Sequence, residues 1–121
     1  MDMKHRIFVL EDNREIRELI EYLLASSGYD VQSFECAEDF YMGIGNSRHP
    51  DLIILDVMLP DGNGLSICED LKANETTKTI PIMMMSANES RAGAKQAGAE
   101  DFIAKPFDIS TFVNRVHKQI A

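Results

Sequence analysis

Five polar residues in this 121-residue chain share one setting: each follows a short apolar run. Glu11 and Asp12 follow Ile7-Phe8-Val9-Leu10. Asp56 follows Leu52-Ile53-Ile54-Leu55. Ser86 follows Ile80-Pro81-Ile82-Met83-Met84-Met85, and Lys105 follows Asp101-Phe102-Ile103-Ala104. Three carboxylates brought together repel and raise one another's pKa values. A hard cation relieves that, and an oxygen-only ligand set favours Mg²⁺ or Mn²⁺. A lysine adds a mobile point charge suited to a phosphoryl oxygen, and a serine adds a hydroxyl donor. Carboxylate nucleophile, metal, cation and donor around one phosphoryl group is the chemistry that fits.

That chemistry needs an architecture that gathers four strand ends. Apolar runs bounded by Gly and Pro read as strands buried on both faces. Between them lie stretches of helical period. Ile16, Leu19, Ile20, Leu23 and Leu24 mark a first helix that Gly28 stops. Val31 to Phe34 is a weaker second strand. Phe40, Tyr41 and Ile44 mark a second helix, closed by Gly45, and Leu65, Cys68 and Leu71 mark a third that begins just after Gly64. Asp108 reads as the N-cap of a last helix carrying Ile109, Phe112, Val113, Val116 and Ile120 on one face. Asn88 to Gly98 is the poorest helix, with Gly93 inside and only alanines for an apolar face. The β-α alternation predicts a parallel sheet with helices on both faces, in one domain spanning 1–121. In such a sheet the carboxyl ends of the strands share one edge, where ligands bind.

Each residue alone also has a plainer reading. Asp12 and Glu15 have capping-box spacing, so Asp12 reads equally as a helix cap. Ser86 reads as a strand-end hydroxyl bonded to backbone, and Lys105 as a surface lysine. Asp61-Gly62 and Asn63-Gly64 read as turn dipeptides. Three successive methionines alternate across a strand and read as core filling. Cys36 in a connection and Cys68 in a helix lack metal-type spacing and read as reduced thiols. A formal net charge of −8 argues against non-specific binding to nucleic acid or anionic membranes. No run approaches the roughly 18 apolar residues that span a bilayer, and the N-terminus lacks a signal-peptide h-region, so a cytoplasmic location is expected.

Taken together, Leu10-Glu11-Asp12-Asn13, Asp56-Val57-Met58-Leu59-Pro60 with Asn63-Gly64, Ser86-Ala87 and Lys105-Pro106-Phe107 resemble the receiver domain of two-component response regulators. The resemblance covers nearly the whole chain. It implies an α/β, flavodoxin-like, doubly wound five-stranded sheet of order 2-1-3-4-5. It implies that Asp56 accepts a phosphoryl group from a phosphohistidine on a partner histidine kinase or phosphotransfer protein. Glu11, Asp12, Asp56 and the backbone carbonyl of Met58 would organise Mg²⁺. Lys105 would bind the phosphoryl group, with a cis Lys105-Pro106 bond. Ser86 and Phe102 would form the switch pair read by a downstream output protein or domain. The chain departs from the commonest family pattern in having Glu11 for Asp, Ser86 for Thr, and Phe102 without a hydroxyl. It is also about one helical turn shorter between Ser86 and Lys105, so the fourth helix is expected to be short.

Two other functions fit the same residues. A metal-dependent aspartyl-phosphate phosphohydrolase would need a general acid near Asp56 and a substrate cap; Asp61 lies too far along a turn to serve as that acid. A binding-only module would keep the fold without phosphorylation. A DNA-binding regulator lacks a basic recognition helix in this chain.

Overall fold

The computed structural model describes residues 4–46, 48–87 and 91–120. Five parallel strands form one sheet: β1 (Arg6–Leu10), β2 (Asp30–Phe34), β3 (Leu52–Asp56), β4 (Ile82–Ser86) and β5 (Asp101–Ala104). Their spatial order is β2-β1-β3-β4-β5. Five helices connect and follow them: α1 (Arg14–Ser26), α2 (Ala37–Asn46), α3 (Gly64–Ala73), α4 (Arg91–Gln96) and α5 (Ile109–Ile120). A ribbon of two two-residue strands, Met58–Leu59 and Gly62–Asn63, lies between β3 and α3. The fold is the expected flavodoxin-like one, and the fourth helix is short.

β1, β3 and β4 are buried almost end to end, which is why their sequences are continuous apolar runs. Alternation sorts their side chains to two faces. On one face Phe8, Leu10, Ile53, Leu55, Ile82 and Met84 pack under α2, α3 and α4. On the other Ile7, Val9, Ile54, Met83 and Met85 pack under α1 and α5. Two of the three methionines therefore fill one core and the third the other. Cys68 is buried and Cys36 partly so; both are free thiols.

Element ends follow the expected chemistry with three corrections. Gly28 adopts φ +93°, a left-handed conformation that L side chains rarely adopt, and its amide bonds back to Ala25 as α1 ends. Asp12 is not the cap of α1: Asn13 is, its Oδ1 accepting the amide of Ile16 at 3.0 Å. Gly45 does not close α2, which runs on to Asn46. Phe40, in the first turn of α2, stacks edge-on against Phe8 and Phe34 and holds that end of the helix to the sheet. β4 begins at Ile82, two residues later than expected, because Pro81 has no N–H for the ladder; its carbonyl still accepts from Ile53 at 3.0 Å.

Candidate functional site

Strand register assembles the site. Leu10 lies opposite Leu55, so the next residues, Glu11 and Asp56, emerge side by side. Asp56 lies opposite Met85, which places Ser86 one step beyond it. Ser86 lies opposite Ala104, and the amide of Lys105 donates to the Ser86 carbonyl at 3.0 Å. Four residues spread over 95 positions of chain thus meet at one sheet edge, as the sequence implied.

Glu11 is fully buried and Asp56 is 4% exposed, while Asp12 is exposed. Each of the three offers a carboxylate oxygen, and these oxygens all lie within 4.8 Å of one another. The Lys105 side chain is 14% exposed, and its ammonium donates to Glu11 Oε1 at 2.5 Å and to Asp56 Oδ2 at 2.6 Å. The other oxygen of each buried acid is held by backbone. The amide of Asn13 donates to Glu11 Oε2 at 3.1 Å, and the amide of Met58 to Asp56 Oδ1 at 3.2 Å. The Lys105-Pro106 bond is cis.

Burial pushes the Glu11 carboxyl up to about 7, against the opposing pull of Lys105 and the Asn13 amide, with Asp56 adding to the rise. Lys105 is shifted the other way from a simple buried lysine. Burial lowers its pKa, but hydrogen bonds and charge from Asp56 and Glu11 together outweigh it, so the net shift is upward. The edge therefore gathers more negative charge than one lysine neutralises. The donor set is all oxygen, with two carboxylates buried and one open to solvent. It suits a small hard cation that keeps positions for water or phosphate.

Ser86 is 1% exposed at the end of β4. Phe102, on β5, is turned into the core beneath α2, α3 and α4, with the Arg91 guanidinium 5.8 Å from its ring centroid. Met58 lies in the short ribbon with its side chain exposed. Gly64, the first residue of α3, is required by close approach: a Cβ there would stand 2.0 Å from the Asp56 carbonyl oxygen.

Sequence reasoning missed two residues. Asp61 lies on the ribbon turn, yet its carboxylate accepts the amides of Ala37 at 2.8 Å and Glu38 at 3.1 Å, at the start of α2. Those two amides hold its pKa below the ordinary carboxylate value. No local spacing announces a cap supplied from 24 residues away. Arg17, one residue among several charges on α1, turns back onto the Glu11-Asp12 backbone.

The family model described as "Response regulator receiver domain" matches residues 7–117. The chain is 39% identical over 119 residues to the phosphate regulon transcriptional regulatory protein PhoB of Escherichia coli (strain K12), covering 94% of this chain and 51% of that protein. It is 35% identical over 116 residues to the DNA-binding dual master transcriptional regulator RpaA of Synechocystis sp. (strain ATCC 27184 / PCC 6803 / Kazusa), covering 92% of this chain and 47% of that protein. The chain spans about half the length of these curated relatives. Among solved structures, the signal receiver domain of a signal transduction histidine kinase from Syntrophus aciditrophicus is similar, with a TM-score of 0.88 and 26% identity over 96% of this chain and 89% of that one. The chemotaxis response regulator CheY4 of Vibrio cholerae shares the fold, with a TM-score of 0.89 and 22% identity over 97% and 99%.

Proposed function

Because the chain belongs to the response regulator receiver domain family, we propose that Asp56 is its phosphoacceptor and that the residues around it carry out the transfer. The domain is a phosphorylation-dependent signalling switch of a two-component system. The observation that supports the site assignment is the convergence of Glu11, Asp12 and Asp56 within 4.8 Å, with the Lys105 ammonium 2.6 Å from Asp56.

An Asp56 carboxylate oxygen attacks the phosphorus of a phosphohistidine on a partner kinase or phosphotransfer protein. The new O–P bond forms as the P–N bond breaks, and the electron pair stays on the departing imidazole nitrogen. Oδ1 is held by the Met58 amide at 3.2 Å and Oδ2 by Lys105 at 2.6 Å; of the two partners the lysine, on a flexible stem, is the one that can move away, which makes Oδ2 the attacking oxygen. Lys105 follows the charge outward from Oδ2 to a phosphoryl oxygen. Ser86 supplies a hydroxyl to the same group, and Ser86 with Phe102 reports its arrival. Mg²⁺, or Mn²⁺ in its place, would be held by Glu11, Asp12, Asp56 and the Met58 carbonyl, and would neutralise charge on the transferring group.

Phosphorylation adds about −1.5 to −2 charges at this edge. The switch then favours whichever conformation contacts the phosphoryl group better. An output protein or domain reads the change, and this chain does not contact nucleic acid itself. The setting is cytoplasmic; among the described residues no helix is long and apolar enough to cross a membrane. We read the domain as regulatory, not as a phosphohydrolase acting on outside substrates. Asp61, the leaving-group acid that such a hydrolase reading would call on, is engaged by two amides that favour its ionised form.

Incubation with a small phosphodonor and Mg²⁺ should modify Asp56 alone, as read by intact mass and peptide mapping. Asp56→Asn should abolish the modification with the fold intact. Phosphate mapped to Glu11 or Asp12 in the parent protein would overturn the assignment.

A further inference from the structure

Asp12 has an unusual status among the three acids. Its side chain is exposed and makes no hydrogen bond or ion pair among the described residues. Glu11 and Asp56, by contrast, are each held at both oxygens. The position of the Asp12 carboxylate therefore depends on the backbone that carries it.

That backbone is clamped from α1. Side chains on a helix lean toward its N-terminus, and Arg17 runs back along α1 to the loop before it. Its Nη1 donates to the Glu11 carbonyl at 2.9 Å and to the Asp12 carbonyl at 3.2 Å. The side chain is only 14% exposed, and Nη2 lies 3.8 Å from Glu35 on the loop after β2. The Glu11 amide is fixed in turn by the Phe34 carbonyl at 3.1 Å. With the amide of one acid and the carbonyls of both acids engaged, the peptide between them has little freedom to rotate.

We infer that Arg17 is a positioning residue for the acid pair, setting the direction in which Asp12 presents its carboxylate to a hard divalent cation. This rests on the metal site proposed above. Arg17 does not touch the cation. It acts through two carbonyls, and its charge offsets part of the repulsion among three acids. Groups one step behind a metal's ligands typically account for a 10–100-fold difference in metal affinity. Arg17 bonds backbone, not ligand side chains, so the lower end applies.

The test is a Mg²⁺ titration of the whole domain, followed by backbone amide NMR shifts, on the parent and on Arg17→Met, Arg17→Lys and Glu35→Gln. Melting temperatures in chelator report the purely structural share of each change. Arg17→Met should weaken Mg²⁺ by about tenfold. Arg17→Lys, which keeps a charge and donors on a shorter stem, should fall between it and the parent. Glu35→Gln should leave affinity unchanged, because its ion pair is long and its side chain is 69% exposed. Should Arg17→Met fail to fold, Arg17→Lys decides. A lower melting temperature with parental affinity would make Arg17 a mere staple and overturn the inference. A parent that binds no Mg²⁺ would remove the metal site and the inference together, while leaving Asp56 phosphorylation as a separate result.

Discussion

Two helices leave the same edge of the sheet on very different terms. α1 follows Glu11 and Asp12; α4 follows Ser86. α1 has 13 residues, the Asn13 cap, and Ile20 and Leu24 fully buried. Among the described residues α4 has six, with Gly93 in its interior and Ala94 as its buried side chain. Burying a leucine or isoleucine contributes about 1.5–3 kcal/mol, and a single methyl under 1 kcal/mol. Gly in a helix interior costs about 1 kcal/mol relative to Ala. The acids are thus set by an element that needs no ligand to hold it, whereas the hydroxyl lies beside one whose own packing barely covers its conformational cost. The proposed switch would use both: fixed acids around the phosphoacceptor, and an adjustable side to announce its modification.

The largest test of that contrast is truncation in each helix. Leu24→Ala should destabilise the domain by about 2–5 kcal/mol. Ala94→Gly should cost about 1 kcal/mol, mostly propensity. Denaturant melts measure both. Amide exchange should agree, with α1 opening only on global unfolding and Arg91–Gln96 opening locally at lower free energy. Equal costs, or equal protection before phosphorylation, would erase the difference and make α4 as rigid an output element as any other helix.

A smaller, pH-dependent effect sharpens the α1 side. A carboxyl raised by burial from 4.5 to about 7 binds its proton more tightly folded than unfolded. Between those values the folded state holds more protons, so the Glu11 contribution to stability falls as pH rises and is fully unfavourable above about 7. Glu11→Gln has no such proton. In chelator, its stability relative to the parent should rise from about pH 4.5 to about 7 and then level off. A flat difference across that window would mean that Lys105 already keeps Glu11 ionised, and that the preset acids hold no unrelieved charge.

The same contrast explains what the sequence revealed. Runs such as Leu52 to Leu55 are legible because burial on both faces leaves no polar position to obscure them, and parallel register then carries Glu11, Asp56, Ser86 and Lys105 to one edge. The short α4 was legible from Gly93 and the alanines. What was hidden is whatever depends on tertiary approach. Asp12 and Asn13 are both good capping types one position apart, and only the turn of the chain after Leu10 decides for Asn13. Asp61 looks like half of a turn dipeptide, and its role at the start of α2 exists only once the ribbon has folded over. Arg17 has the pattern of any exposed helical arginine until its side chain is seen to run backward. Gly45 is a stop signal that α2 passes by one residue.

The smallest effect concerns the link between α4 and Phe102. A tyrosine here could tie its hydroxyl to a neighbour, but Phe102 has none, and its ring is 6% exposed without any polar anchor. Arg91, the first residue of α4, stands with its guanidinium 5.8 Å from the ring centroid. At an exposed site such a contact is worth about 0.5–1 kcal/mol. That is too little to fix a helix, yet it changes a two-state population by roughly two- to fivefold, since 1.4 kcal/mol is tenfold. Arg91→Ala should therefore leave the melting temperature nearly unchanged while moving the Phe102 ring resonances, read with fluorinated phenylalanine, toward a more exposed average. Arg91→Lys should recover part of the shift, because a point charge still meets the ring face but without guanidinium stacking. Unmoved resonances in Arg91→Ala would show that β5 alone holds the ring, and that Arg91 does not tie α4 to Phe102.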